Sequence, residues 1–502
     1  MKKILFSLIA TLVLAVSCDL NIEPTSSIST ENALKTADDA QKFRRDLYIT
    51  MRDYLDSGSP VYLMELMADT FHASITFGNR NGEYYKWEMR STFGYVESLW
   101  HYSYYTVMLA NFLEDGIGKM DASSMSEADK ADLNVILGEC AFAKAYSMFK
   151  LTELFCQNYN ASTAANVYGV MLSDATFETP SVQASYPGRS SLADTYQYID
   201  KNLSKAESLL SGVSGQEGSI YITADVVSAL KARIALTKGD YSTAASTAAA
   251  LVDGGEYALL DNEDDFNSLW TNDSGKECIF QMWADYQSVP DSNCYDYVGL
   301  QSNGTYSPNY IPEKWLIEAY EKSDIRFKTW FFKTPAVFGT INSNLYVLNK
   351  FPGNPELMPG VAISTHLNKV KPFRIAEQYL IAAEAYAESN PTEACKYLNK
   401  LRASRMPGYV SKSYTGDELL AQIKLERARE LVGEGFRLKD LKRWNEGFSR
   451  SEAQDSQVVS NAGSSTTELL SKSADDPFFL WPIPQAEIDS NPQIRGQQNP
   501  GY

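Results

Sequence analysis

Residues 374–385 read Arg-Ile-Ala-Glu-Gln-Tyr-Leu-Ile-Ala-Ala-Glu-Ala, a pattern that predicts a helix with one buried face. The apolar positions of this helix are Ile375, Tyr379, Ala382, Ala383 and Tyr386. They recur at intervals of three and four residues, the period of a helix packed on one side. Pro391 opens a second helix, and residues 419–431 form a third. Small alanines beside larger residues let paired helices approach closely, so residues 373–444 predict stacked hairpins of the tetratricopeptide type.

Residues 223–251 have the same pattern in the N-terminal half. Alanines and leucines precede the sequence Gly239-Asp-Tyr241, and further alanines follow it. Such a turn between two alanine-rich helices is typical of tetratricopeptide repeats, although an ordinary helical hairpin has similar structural consequences. Helical periodicity also covers residues 37–55, 133–155 and 191–210. The pattern therefore predicts a mainly α fold.

The N-terminus has the features of a bacterial export signal. Two lysines precede an apolar run over residues 4–16, which is too short to span a bilayer as a helix. The run ends in Ala15-Val-Ser-Cys18, which resembles a lipobox. We expect cleavage before Cys18 and a lipid on its sulfur; the alternative is an ordinary cleaved signal with an incidental cysteine.

Charge and cysteine content restrict the function further. The 502-residue chain has a net charge of −18, so it has no general attraction to nucleic acid. Five cysteines follow Cys18, too few for a disulfide framework. Cys278 and Cys294 flank one loop, and their pairing stays open. The chain shows no histidine pair with metal-ligand spacing, so we predict neither a metal site nor a cofactor.

Two regions place aromatic residues among helix breakers. Residues 74–87 contain the breaker cluster Gly78-Asn-Arg-Asn-Gly82, and residues 278–351 are rich in glycine and proline. Loops carry function more often than framework does. We expect the aromatics of the first region, Tyr84, Tyr85 and Trp87, to be exposed. From residue 96 onward helical spacing returns, so we assign Trp100 and Tyr104 to the core.

Four blocks of sequence together resemble the SusD/RagB family of outer-membrane lipoproteins from Bacteroidetes. They are residues 374–385, Leu398-Asn-Lys-Leu-Arg-Ala-Ser-Arg405, the charged run from Glu426 to Trp444, and Trp481-Pro-Ile-Pro-Gln485 with Gln498-Asn-Pro-Gly-Tyr502. Asp324-Ile-Arg326 also fits. With the lipobox at one end and the last block at the other, the resemblance covers nearly the whole chain.

The resemblance implies a SusD-like fold with about four tetratricopeptide-like helical hairpins and an irregular, loop-rich ligand-binding region. It also implies a cell-surface lipoprotein of the outer membrane that forms a lid over a SusC-like TonB-dependent transporter, without catalysis. Its shared charged residues are expected to form a structural ion-pair and capping network: Glu426, Arg427, Arg429, Glu430, Glu434 and Arg437.

We divide the chain into five parts on the basis of these patterns. They are a signal peptide (1–17), a lipid-anchored tether (18–35), an N-terminal helical region (36–277), an irregular aromatic-rich region (278–370) and a C-terminal helical region with a wrapping tail (371–502).

The predicted ligand is an oligosaccharide or polysaccharide. A sugar ring has an apolar C–H face that suits an aromatic ring, while its hydroxyls bond to amide and charged side chains. Candidate glycan-binding residues are Asn79, Arg80, Asn81, Tyr84, Tyr85, Trp87, Trp283, Tyr295, Tyr297 and Tyr306. In the family, an early loop and the later irregular region tend to meet at the ligand, which assigns these residues by region only.

Two other functions remain open. A glycoside hydrolase would need two carboxylates across one scissile bond, and no motif indicates such a pair. A tetratricopeptide-type scaffold could bind a peptide, although it would not need two aromatic loop regions. The sequence does not identify the sugar, its linkage or its length, and it leaves bound Ca²⁺ open.

Overall fold

The computed structural model describes residues 33–176, 186–361, 363–460 and 470–502. The predicted signal peptide, the predicted lipidation site Cys18 and the tether up to residue 32 lie outside the described residues.

The architecture is mainly helical, which confirms the predicted fold class. The helices are α1 (Ala37–Thr50), α2 (Ser59–Leu66), α3 (Gly82–Tyr85), α4 (Gly94–Lys119), α5 (Glu127–Phe155), α6 (Leu192–Leu210), α7 (Ala224–Lys238), α8 (Tyr241–Gly254), α9 (Glu263–Thr271), α10 (Tyr295–Val298), α11 (Lys314–Glu318), α12 (Ile325–Trp330), α13 (Ile375–Tyr386), α14 (Pro391–Arg405), α15 (Gly416–Leu431), α16 (Arg437–Arg443) and α17 (Gln485–Ser490). A π-helical turn, Met51–Leu55, continues α1.

Side-chain caps mark where several of the helices begin. Ser126, Ser191 and Thr223 each accept a hydrogen bond from the backbone N–H three residues later, at the starts of α5, α6 and α7. Between α7 and α8, Gly239 has φ +75° and Asp240 caps the next helix. Glycine suits this left-handed position because it has no Cβ. Helices α4, α5 and α6 pack in series, and α13 packs against both α8 and α14.

A buried network of arginines and glutamates connects the C-terminal helices. Arg326 of α12 donates to Glu426 (2.7 Å) and Glu430 (3.0 Å) of α15. Arg405 of α14 contacts Glu430 and Glu277, all with fully buried side chains. The remaining predicted members also form ion pairs: Glu434 with Arg374, Arg427 with Asp440, Arg429 with Glu426, and Arg437 with Asp69. The predicted structural network is therefore confirmed.

Strands are short, and within the described ranges they form four antiparallel pairs. These pairs are β1 (Phe71–Ala73) with β3 (Tyr310–Pro312), β2 (Cys278–Phe280) with β6 (Phe373–Arg374), β4 (Phe331–Phe338) with β5 (Ile341–Leu348), and β7 (Phe448–Ser449) with β8 (Ser471–Lys472). The β4–β5 hairpin lies in the region that the sequence predicted as irregular. Pro335 within β4 weakens the strand signal there, which explains why the pattern missed it.

The C-terminal tail packs against the N-terminal half. The backbone N–H of Trp481 donates to the Leu154 carbonyl (2.8 Å), and the Asn499 side chain donates to the Phe155 carbonyl (2.8 Å). Arg189 donates to the Asn499 amide oxygen (2.8 Å). These bonds fasten the tail to the C-terminal end of α5.

All five cysteines in the described residues are buried free thiols, so no bond joins Cys278 and Cys294. The Cys294 thiol instead donates to the Phe351 carbonyl (3.0 Å).

A helix able to cross a bilayer is absent from the part of the chain that the structure describes.

Candidate functional site

A buried arginine fixes the loop that presents Trp283. The guanidinium of Arg52, in the turn after α1, donates to the Trp283 carbonyl (2.8 Å) and to the Ser288 carbonyl (3.1 Å). Asp53 accepts from the Nε of Arg52 at 2.7 Å and balances its charge. Both ends of the loop are thereby held, while the Trp283 side chain remains 46% exposed.

The Trp283 ring lines a cleft of about 490 Å³, which we name the Trp283 cleft. Its walls come from α1, the segment before α7 and the loop after β2. The lining residues are Gln41, Arg44, Arg45, Tyr48, Ile49, Arg52, Ile220, Tyr221, Met282, Trp283 and Ser288. Tyr221 is a second large aromatic there, and it is 48% exposed. The cleft therefore combines two accessible aromatic rings with several hydrogen-bonding groups.

Polar contacts hold Tyr221 in position. The Tyr48 hydroxyl accepts from the Ile222 N–H (2.8 Å) and donates to Glu139 (2.7 Å). The guanidinium of Arg44 lies 4.1 Å from the centre of the Tyr221 ring and makes two hydrogen bonds to Glu139, at 2.6 and 2.5 Å. Burial raises the pKa of Tyr48, so its hydroxyl keeps its proton. Burial opposes the charge on Arg44, but Glu139 outweighs it and raises the pKa of Arg44.

A second group of predicted residues meets on the surface, and we name it the Arg80–Tyr295 patch (Asn79, Arg80, Asn81, Tyr295). The guanidinium of Arg80 lies 3.1 Å from the Asp296 carboxylate and 5.4 Å from the centre of the Tyr295 ring. Asn81 donates to Asp296 at 3.4 Å. Burial raises the pKa of Asp296, and the Asn309 amide and Arg80 oppose that shift. The early loop and the later irregular region therefore do come together here.

The expected exposure of Tyr84, Tyr85 and Trp87 is wrong, because all three side chains are buried. The Trp87 indole donates to the Met67 carbonyl (2.7 Å) and packs edge-on against Phe479. The Arg450 guanidinium covers the Tyr85 ring at 3.5 Å from its centre. Tyr84 packs against Trp481, with ring centres 5.8 Å apart. Rings enclosed in this way offer no face to a sugar.

Two further candidates, Tyr297 and Tyr306, pack against other aromatic side chains of the fold. Tyr297 is fully buried and stacks on Phe71, with ring centres 4.2 Å apart, so it is removed from the candidate site. Tyr306 is half-buried against Phe332, and its carbonyl accepts from Val337 of β4 (2.8 Å). Asn79 is exposed and donates to Glu83. Of the predicted aromatics, Trp283 and Tyr295 have the most accessible rings.

The sequence analysis missed most of the Trp283 cleft. Gln41, Arg44 and Arg45 lie on an ordinary amphipathic helix, where polar residues usually face solvent. Tyr221 had a weak signal, since Ile220 and Tyr221 are two large apolar residues in a short loop just before a helix cap.

Among the described residues, acidic, histidine and cysteine side chains do not cluster in a way that could hold a metal ion.

Comparison with known sequences finds two matching family models. The sequence model described as "SusD family" matches residues 333–502, and the one described as "Starch-binding associating with outer membrane" matches residues 24–236. Neither match includes residues 237–332. In the matched parts the chain is similar to SusD-type proteins. SusD-like protein P2 of Formosa agariphila is 25% identical to this chain over the full length of both. SusD-like protein P38 of the same organism is 24% identical over 99% of this chain and 98% of its own.

Solved structures share the fold of this chain. A structure described as a sugar-binding protein from Bacteroides vulgatus matches with a TM-score of 0.74 and 24% identity, covering 94% of this chain and 99% of its own. A SusD superfamily protein from Bacteroides thetaiotaomicron matches equally well, with coverage of 93% and 100%. A SusD-like protein described as laminarin binding matches with a TM-score of 0.69 and 20% identity, covering 93% and 100%.

Proposed function

We propose that this chain is a glycan-binding protein that captures an oligosaccharide or polysaccharide in the Trp283 cleft and delivers it to a SusC-like TonB-dependent transporter. The observation that carries the proposal is the cleft itself. It holds two aromatic rings, each about half exposed, on a frame of partly buried hydrogen bonds.

The cleft suits a sugar for physical reasons. The faces of Trp283 and Tyr221 carry partial negative charge, which attracts the slightly positive C–H groups of a pyranose face. Gln41 and Ser288 supply neutral groups for the hydroxyl rim. Because the surrounding loop is already fixed by Arg52, little conformational freedom is lost on binding. A series of such contacts gives moderate affinity, which suits a protein that must release its cargo.

The family matches support this ligand class. One matching model carries a starch-binding description, and one protein of the same fold is described as binding laminarin, itself a glucan. For this chain we propose binding without catalysis. Incubation with each bound glycan should release no new reducing ends, and their steady release would contradict the binder-only role.

Calorimetric titration of the purified chain against plant, host and microbial glycans tests the capture role. We expect binding to one glycan class, weakened about tenfold or more by Trp283→Ala or Tyr221→Ala, because each removes a stacking surface. Tyr241→Ala is the matched control, since Tyr241 is 46% exposed but does not line the cleft. Binding that survives both cleft variants would refute this site.

The Arg80–Tyr295 patch is proposed as a secondary contact for longer chains. Tyr295 is 46% exposed and Arg80 projects beside it, a combination that can stack on a sugar and bond to its hydroxyls. Tyr306 is the remaining candidate next to this region. We expect Tyr295→Ala to weaken binding of long chains while leaving short ones unchanged. Equal loss for both lengths would contradict an extended site.

Transporter delivery and anchoring at the outer-membrane surface complete the proposal. The second family description, which refers to association with the outer membrane, supports that location. We propose that Cys18 carries the lipid. Cys18→Ala should move the chain from the membrane fraction to the soluble fraction, and co-purification in mild detergent should recover a SusC-like barrel with the unaltered chain. A complex in which the chain lies away from the barrel mouth would contradict the lid role.

A further inference from the structure

The charged groups of the Trp283 cleft have one sign. Its lining includes three arginines, Arg44, Arg45 and Arg52, and no carboxylate. The chain as a whole carries a net charge of −18. The charged side chains that line the cleft are therefore cationic on an acidic protein, and they lie beside the two exposed aromatic rings.

Two of the three guanidinium groups are already used by the fold. Arg44 makes its paired bonds to Glu139, and Arg52 is buried with Asp53 and two loop carbonyls. Their charges are balanced, and their donors are largely occupied.

Arg45 differs from the other two. It is exposed at the cleft, and within the described ranges it has no ion pair or hydrogen-bond partner. The next residue, Asp46, lies near Tyr105, whose pKa is raised by burial and by that carboxylate. Lys42, three residues earlier on α1, pairs with Asp38 and Asp39. The cleft therefore keeps one uncompensated guanidinium.

We infer that the glycan bound in the Trp283 cleft is acidic, and that Arg45 contacts its carboxylate or sulfate group while Trp283 and Tyr221 stack on the sugar rings. This inference rests on the proposed function and specifies its substrate class. A guanidinium presents two parallel N–H donors that match the two oxygens of a carboxylate or sulfate. The net negative charge elsewhere on the chain would repel such a ligand, so binding is confined to the cleft.

Calorimetric titration with chains of matched length tests this inference. The probes are an oligogalacturonate, a sulfated galactan oligosaccharide, and neutral malto-, cello- and laminari-oligosaccharides. The proteins are the unaltered chain, Arg45→Gln, Lys42→Gln and Trp283→Ala. The first two variants remove one positive charge each from the same exposed side of α1, but only Arg45 lines the cleft.

We expect one of the two anionic probes to bind at least tenfold more tightly than every neutral probe. Arg45→Gln should abolish that preference, Lys42→Gln should retain it, and Trp283→Ala should weaken all binding. Raising the salt concentration from about 0.05 M to 0.5 M should weaken anionic binding, because surface charge interactions are screened. Preference for the carboxylate or for the sulfate supports the inference and identifies the group.

The contrary outcomes are distinct. Tight binding of a neutral chain that is lost in Trp283→Ala but unchanged in Arg45→Gln overturns the acidic ligand and leaves the proposed function intact. Anionic binding that Lys42→Gln reduces as much as Arg45→Gln reflects charge alone and overturns the role of Arg45. Failure of every probe to bind overturns this inference together with the capture role.

Discussion

Trp87 and Trp283 have the same side chain in opposite surroundings. Trp87 is 3% exposed and its indole N–H is bonded to the Met67 carbonyl, whereas Trp283 is 46% exposed at a cleft. Both lie near helix breakers in the sequence, so the local composition predicts the same exposure for the two side chains. The difference arises from Phe479 and Phe448, which cover Trp87 from the distant C-terminal part of the chain.

These two tryptophans give the first prediction. Trp87→Ala should lower the free energy of unfolding by about 3–5 kcal/mol, because it leaves a cavity and an unpaired carbonyl. Trp283→Ala should change it by less than about 1 kcal/mol while weakening glycan binding. Urea unfolding followed by circular dichroism measures both. Equal destabilisation by the two variants would show that Trp283 is also a packing residue.

Burial of individual aromatics was the least predictable property of the site. Tyr85, for example, is covered by Arg450, whose guanidinium also donates to the Tyr85 carbonyl across 365 residues of sequence. Such a contact depends on the complete tertiary arrangement, and no periodicity in residues 74–87 reports it. Trp283 and Tyr295, in the region rich in helix breakers, are each 46% exposed, and their contact with a ligand stays a prediction.

At the scale of elements, the helices were the most predictable part. Their alanine-rich stripes and their serine and threonine caps are local signals, and each predicted helical run is observed as a helix. The β4–β5 hairpin was missed, since its pattern is interrupted by Pro335 and it is joined through Gly339, which has φ +64°.

The turn between α7 and α8 gives a second prediction. Gly239→Ala should destabilise the chain by about 1 kcal/mol, because an L-residue at φ +75° is strained. No described atom lies within 4 Å of the added methyl group, so the cost comes from the backbone alone. Gly254→Ala, at the last residue of α8 and with equally open space, should be neutral or slightly stabilising. Thermal unfolding compares the pair, and a reversed order would contradict the conformational explanation.

The buried ion-pair network gives a third prediction, which concerns pH. Burial alone would raise the pKa of Glu426, but Arg326, Arg429 and Arg402 outweigh it and lower the pKa to about 2. A carboxylate with a depressed pKa stabilises the fold fully above the unfolded value of about 4.5, and this stabilisation is lost as pH falls toward 2. The shift of the Glu426 pKa from about 4.5 to about 2 corresponds to roughly 3 kcal/mol of stabilisation.

The Glu426→Gln variant has no carboxyl group to titrate at this position. Comparing it with the unaltered chain therefore isolates the contribution of Glu426 ionisation to stability. The difference in unfolding free energy between the unaltered chain and Glu426→Gln should be constant from pH 7 to about pH 5 and shrink below about pH 4.5. Chemical denaturation at each pH measures it. A difference that stays unchanged down to pH 3 would show that Glu426 is not ionised in the way the network implies.

At the scale of the whole molecule, the tail joins regions that are far apart in sequence. Asn499 donates to the carbonyls of Phe155 and Trp481 and accepts from Arg189. Burial lowers the pKa of Arg189. The family resemblance gave the overall fold class from the sequence. It did not give the arrangement of the Trp283 cleft, which is assembled from α1, the segment before α7 and the loop after β2.

The fourth prediction tests the tail. Asn499→Ala should cost about 1–3 kcal/mol, because it leaves the Trp481 carbonyl and part of a buried guanidinium without a partner and removes one of the two hydrogen bonds to the Phe155 carbonyl. Gln493→Ala is a control in the same tail with an exposed side chain. Amide hydrogen exchange should show faster exchange at the C-terminal end of α5 in Asn499→Ala only. Unchanged protection there would contradict a clamping role.

The contact between Asn499 and Phe155 can form only late in the synthesis of the chain. The two residues are 344 positions apart, and a ribosome adds about 5–20 residues each second. The end of α5 is therefore made roughly 20–70 s before the segment that covers it. During that interval the Leu154 carbonyl lacks its bond from Trp481, and the Phe155 carbonyl lacks its bond from Asn499. Closure of the fold is thus a late event, completed only when the last residues arrive.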